Sequence, residues 1–168
     1  MTLRAHPLAG ALWWYLLALL VIALDQWTKL LALRVLDYGV PQEVTGFFNL
    51  TLLYNRGAAF SFLSDAGGWQ HWLFSGLAVV ISLVLVVWLY RQPRKARLEP
   101  LALALVLGGA LGNLLDRLRL GHVVDFIQLH YRDFYWPAFN IADSAITLGA
   151  GLLLQGMLRD GGGRDDGH

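Results

Sequence analysis

The chain has 168 residues, of which 57% are hydrophobic and 15% charged, and its mean hydropathy is +0.51. A soluble domain carries about 25% charged residues, and one of this size could not bury so much apolar side chain in a single core, so lipid is the expected solvent. A formal net charge of +1 without a basic, aromatic-interleaved patch argues against a nucleic-acid partner, and the lack of cysteine excludes disulfides, thiolate metal sites and cysteine nucleophiles.

Four stretches approach the roughly 20 apolar residues that a spanning helix needs. The first covers about residues 8–33 and is interrupted late by Asp25 and Lys29. Arg4 ahead of an apolar run also suits a cleaved signal peptide, but this run is longer and is followed by Asp25-Gln26-Trp27 instead of a small-x-small site. It reads as a retained span. In the following segment, 34–68, Phe48-Asn49-Leu50-Thr51-Leu52 alternates apolar and polar residues ahead of the turn signal Asn55-Arg56-Gly57, which predicts a small β element at the interface. Residues 69–90 make the cleanest span. Arg91, Arg94, Lys95 and Arg97 crowd the connector to the third span, residues 98–118, whose apolar part is about 101–115. Residues 119–136 join it to the fourth span, 137–158, which carries one acid, Asp143. The Gly- and charge-rich tail 159–168 is expected to be disordered.

These elements predict one membrane-embedded domain, 1–168. With four spans, Arg4, the basic connector, Arg159 and Arg164 share a side, and the positive-inside rule makes it cytoplasmic, together with both termini. Seven Trp and six Tyr suit rings placed at two membrane interfaces.

Ionisable groups within spans are costly, so each is a functional candidate. Asp25 and Lys29 stand four apart, the spacing of a helical ion pair, and are expected to be structural, binding outer-loop backbone. Gly108, Gly109 and Gly112 form a small-residue face for close helix approach, continued by Asn113, Asp116 and Arg117. An Asp-Arg clamp is expected there, with Arg117 holding Asp116 ionised. Asp125, within Val123-Val124-Asp125-Phe126-Ile127, and Asp143, about two turns into the fourth span, have no cation at helical spacing. If spans three and four are neighbours, the two acids lie at similar depth near the outer face. Two carboxyls facing each other in low dielectric share a proton, giving one base to activate water and one acid to polarise a carbonyl. Unpaired acids in spans also suit a proton-coupled transporter. His122, Asp125, His130 and Asp143 leave room for a metal site, although no His-Glu-x-x-His motif is present. A non-catalytic membrane subunit would explain the glycine face alone.

Five blocks are more specific together than apart: Asp25-Gln26-Trp27-Thr28-Lys29, Tyr54-Asn55-Arg56-Gly57-Ala58-Ala59-Phe60-Ser61, the run from Gly108 to Arg117, Val123-Val124-Asp125-Phe126, and Phe139-Asn140-Ile141-Ala142-Asp143-Ser144. In this order the chain from Asp25 to Gly149 resembles the bacterial lipoprotein signal peptidases, signal peptidase II. The resemblance implies an aspartic endopeptidase of the bacterial inner membrane, acting toward the periplasmic face without metal or cofactor. It implies removal of signal peptides from prolipoproteins on the N-terminal side of a diacylglyceryl-modified cysteine. Asp125 and Asp143 then match the catalytic dyad. Asp25, Lys29, Asn55, Gly57, Gly108, Asn113, Asp116, Arg117, Asn140 and Ala142 match the family's substrate-binding or supporting positions, Asn55 and Asn140 as candidates to bond substrate backbone. The implied fold is all-α, four transmembrane helices with a small extracytoplasmic β cradle and a short interfacial helix. A monomer is expected, with prolipoprotein signal peptides and membrane phospholipid as partners and no nucleic acid.

Overall fold

The computed structural model describes residues 8–56, 69–93 and 95–162. Four helices carry the chain: α1 (Leu8–Val35), α2 (Trp69–Tyr90), α3 (Leu98–Leu120) and α4 (Ile141–Gly162). Each holds a stretch long and apolar enough to cross a bilayer, Gly10–Val35, Trp72–Tyr90, Leu98–Leu120 and Ile141–Arg159. The shortest has 19 residues; at about 1.5 Å per residue it reaches ~28 Å, close to the hydrocarbon thickness of roughly 30 Å. Trp72, Leu77, Val80, Leu83 and Val84 stand exposed on α2, a surface that lipid solvates and water would not. The chain is a membrane protein of four spans.

Helix α3 is the hub, packed by each of the other three. Its glycines explain how close those helices come. A Cβ on Gly108 would lie 2.7 Å from the Val21 Cβ and 2.8 Å from the Ala18 carbonyl oxygen, and one on Gly112 would lie 2.7 Å from Asp25 Oδ2. Gly109 faces the other way, where a Cβ would run into the Ala142 carbonyl and Ile146 of α4. Small residues here let backbones approach to distances any side chain would forbid. Lower in the bundle, Ala18, Leu85, Leu89, Leu103 and Leu107 form a buried cluster against Trp14 and Tyr15.

The polar segments form a four-stranded antiparallel sheet at one end of the bundle. Its strands β1 (Gln42–Thr45), β2 (Phe48–Asn55), β3 (Val123–Tyr131) and β4 (Phe134–Tyr135) lie in chain order. Alternation predicts only the element around residues 48–52. The partner strand β3 offers no alternation to read, because Val123, Val124, Asp125 and Phe126 are all buried. Val124 and Phe126 pack with Leu52 against Ala32 and Leu36, which fastens the sheet to the end of α1. Gly121 turns the chain from α3 into β3: its φ of 76° is left-handed and its N–H bonds the Arg117 carbonyl at 3.0 Å, a helix stop that glycine adopts without steric cost.

Two boundaries differ from the sequence reading. Helix α4 begins at Ile141 instead of near residue 137, because Phe139 pairs with Ile127 as a short extension of the sheet. It then runs to Gly162, into the stretch expected to be a disordered tail; residues 163–168 lie outside the described part. So do Gly57 and the rest of 57–68, and the described residues contain no short interfacial helix.

Candidate active site

Where the sheet meets the helix ends, Asp25, Lys29, Asn113, Asp116, Asp125 and Asn140 are all buried. Buried charges persist when paired and hydrogen-bonded, and Lys29 is the centre of that pairing. Its Nζ donates to Asp25 Oδ2 at 2.8 Å, to Asp116 Oδ2 at 2.8 Å and to Asn113 Oδ1 at 2.9 Å, which uses all three ammonium protons. The free oxygen of Asp25 accepts the Ala142 N–H at 2.9 Å, and Asp116 Oδ2 also accepts the Val124 N–H at 3.1 Å. One lysine therefore anchors the residues just ahead of Asp143 and Asp125. This cluster joins α1, α3, α4 and β3.

Two expectations are corrected here. The Asp25–Lys29 pair forms as predicted, but its backbone partner is the first turn of α4, not an outer loop. The cation on Asp116 is Lys29, not Arg117: Lys29 comes from α1 at hydrogen-bonding distance, while Arg117 makes only a 3.5 Å contact to the Asn113 carbonyl and lies over the Phe74 ring at 5.8 Å. The Arg117 guanidinium instead feels the charges of Asp143 and Asp125 as well as Asp116.

Asp143 is the third residue of α4, within its first turn, not two turns into a span. Asn140 caps that helix. Its Oδ1 accepts the Asp143 N–H at 2.9 Å, and Asp143 Oδ2 accepts the Asn140 N–H at 3.3 Å, a reciprocal capping box. The positive end of the helix dipole favours negative charge at this position. Asn113 Nδ2 donates to Asp143 Oδ1 at 2.7 Å. That amide has no choice of orientation: lysine can only donate, so the Asn113 oxygen faces Lys29 and its nitrogen faces Asp143.

Asp125 reaches the same place from the sheet. Phe139 and Ile127 exchange backbone hydrogen bonds of 3.0 and 2.9 Å, which sets Asn140 beside Asp125. Asn140 Nδ2 donates to Asp125 Oδ1 at 2.7 Å, with the Asn113 oxygen at 3.1 Å and the Val124 carbonyl at 3.2 Å. Asn55 of β2 also hydrogen-bonds Asp125. It stands opposite Val123, so Asp125 is its diagonal neighbour on the same face. Burial, then the negative charge of Asp143, push the Asp125 carboxyl up to about 7, against the opposing pull of the Asn55 and Asn140 bonds and the Lys29 charge. A carboxyl at about 7 is roughly half protonated near neutral pH, so Asp125 can hold a proton beside Asp143.

Asn140 is fully buried and its amide is taken up by Asp125, Asp143 and Asn113. Asn140 thus holds both acids, and Asn55 holds Asp125. Gly108 and Ala142 serve close packing and the Asp25 bond respectively. His122 lies 4.2 Å from the Tyr54 ring, and burial together with Arg56 pushes its imidazole down. His130 stacks on Tyr135. Among the described residues no three His, Asp or Glu side chains come together as a metal site. Sequence reasoning did not single out Gln26, which donates to Asp116 Oδ1 at 2.8 Å and to the Gly112 carbonyl at 3.2 Å; a polar residue inside an apolar run was its available signal.

A groove of about 500 Å³ opens beside Asp143, walled by Leu129, Trp136, Phe139, Thr147 and Leu148. Among the described residues, Asp143 is the one charged side chain that lines it.

Comparison with known proteins agrees with this geometry. A family model described as Signal peptidase (SPase) II matches residues 17–159. The chain is 59% identical over 141 residues to a lipoprotein signal peptidase of Acinetobacter baylyi, covering 84% of this chain and 79% of that protein. It is 53% identical over 146 residues to one of Cupriavidus necator, covering 87% and 83%. A bacterial membrane enzyme solved by the in meso method at 2.3 Å resolution superimposes with a TM-score of 0.79 at 32% identity, over 91% of this chain and 92% of that one.

Proposed function

We propose that this chain, which belongs to the signal peptidase II family of membrane proteases, removes signal peptides from diacylglyceryl-modified prolipoproteins with Asp125 and Asp143 as its catalytic pair. The observation that carries the reading is a contrast among the four acids of the site. Asp25 and Asp116 are each bound to Lys29, whereas Asp125 and Asp143 are held by amides, with no cation at hydrogen-bonding distance among the described residues. Asp143, at the positive end of α4, is the carboxylate that takes a proton from water. Asp125 carries the shared proton and donates it toward the scissile carbonyl oxygen. As the tetrahedral intermediate collapses, the proton gained by Asp143 passes to the leaving amine, the C–N bond breaks, and the hydroxyl proton of the re-forming carbonyl returns to Asp125. Arg117, near both acids, steadies the charge that moves between them.

The groove beside Asp143 takes apolar substrate next to the scissile bond, which is cut on the N-terminal side of the lipidated cysteine. Arg91, Lys95, Arg97 and Arg159 stand at the end of the bundle away from the sheet, and their charge supports reading that end as cytoplasmic. The dyad then faces the periplasm, both termini are cytoplasmic, and the chain lies in the bacterial inner membrane as a monomer.

The test is cleavage of a diacylglyceryl-modified precursor by purified protein in detergent, comparing Asp125→Asn and Asp143→Asn with wild type. Turnover should fall on the order of 10²–10⁴-fold in each, with unchanged thermal unfolding and no response to chelators. Near-normal turnover in either variant would refute the two-aspartate mechanism, and loss of wild-type activity in a chelator would move attention to a metal.

A further inference from the structure

At the end of the bundle opposite the dyad lies a second cavity, of about 420 Å³, between the ends of α2, α3 and α4. Leu98, Leu152, Leu153 and Met157 make its wall apolar, and Arg97 and Arg159 supply its positive charge. Among the described residues neither guanidinium has a hydrogen bond or an ion pair. The one acid of the lining, Glu99, is engaged by the Trp88 indole, which donates to it at 2.9 Å. Past Trp88 the apolar surface continues into a shallower groove of Leu83, Val84 and Val87, again ending at an arginine, Arg91. Apolar walls with unpaired arginines at one membrane face complement a molecule with hydrocarbon chains and an anionic head.

We propose that this cavity binds an anionic phospholipid of the leaflet facing it. The phosphate sits between Arg97 and Arg159, since guanidinium forks match phosphate oxygens, and an acyl chain lies along Leu98, Leu153 and Met157. A free phosphate would leave the apolar wall unused, and a zwitterionic lipid would bring a second cation to the arginines. The proposal is independent of the dyad and stands or falls separately from it.

Gly156 offers a direct test, because a Cβ there would meet only Leu98 Cδ2, at 3.8 Å. A larger side chain grows into the cavity without disturbing the fold. Native mass spectrometry of the detergent-purified protein would count phosphatidylglycerol retained against phosphatidylcholine of the same chains. Phosphatidylglycerol should be retained preferentially. Its affinity should fall roughly fivefold for each of Arg97→Gln and Arg159→Gln, and Gly156→Phe should abolish the preference at unchanged thermal stability and peptidase turnover. Equal retention of the two lipids by wild type, or full retention of phosphatidylglycerol by both Gly156→Phe and the double arginine variant, would overturn the proposal.

Discussion

Four acids gather at the sheet end of the bundle, and they divide into two pairs by their neighbours. Asp25 and Asp116 flank Lys29 and also accept bonds from Ala142, Val124 and Gln26. Asp125 and Asp143 meet only amides, from Asn55, Asn113 and Asn140. The residue type is the same and so is the neighbourhood. What differs is whether a cation lies at hydrogen-bonding distance: with one, a carboxylate fixes backbone; without one, burial favours the protonated form, as at Asp125. The ion cluster ties four elements together, and the amide-held pair is the one proposed to carry the chemistry.

The sharpest break of this comparison is to remove the cation. Lys29→Met should leave two buried carboxylates uncompensated and cost about 3–5 kcal/mol, read as a large drop in unfolding temperature in detergent. Asp125→Asn should cost the fold nothing. If the lysine variant unfolded like wild type, the scaffold role would be wrong. The link between the two groups comes next. Asn113→Ala removes the donor to Asp143 and the acceptor from Lys29, and loss of a bond to a charged group is worth about 1.5–3 kcal/mol. The kcat should fall roughly 10- to 100-fold, with KM nearly unchanged, in a lipoprotein cleavage assay.

Proton affinity gives a subtler test. Since the Asp125 carboxyl sits at about 7, turnover should decline as pH rises through about 7, where the second acid ionises. The Asn55 bond pulls that carboxyl down, so Asn55→Ala should move the alkaline limb to higher pH. The sign for stability is the reverse of an ion-paired acid. The fold holds the Asp125 proton more tightly than the unfolded chain, so that contribution is complete below the ordinary 3.8 and is lost as pH rises toward about 7. Asp125→Asn should therefore be at least as stable as wild type at pH 8, as thermal unfolding would report. The smallest effect belongs to the turn that delivers β3: Gly121→Ala, at φ 76° with open space around it, should cost about 1 kcal/mol and leave the pH profile in place.

Much of this was legible along the chain. Four apolar runs give the spans, glycines at four-residue spacing give a face for close helix approach, and Asp25 with Lys29 reads as an ion pair from spacing alone. The proposed pair, Asp125 and Asp143, was legible as two acids without a cation at helical spacing. Its supports were not: Asn140 looked able to bind substrate until its amide was found fully engaged, and Asp116 looked paired to the arginine beside it until Lys29 arrived from another helix.

The sequence by itself determined the solvent, the spans and which acids lack a local partner, because hydropathy and helical spacing are properties of neighbouring residues. Only the tertiary structure decided that Asp143 caps a helix, that Asp125 sits on a strand buried on both faces, and that one lysine steadies both. Strand pairing between Ile127 and Phe139 and the hydrogen bonds of Lys29 to Asn113 and Asp116 join residues far apart in the chain, and no local periodicity records which distant polar groups will meet when water is excluded.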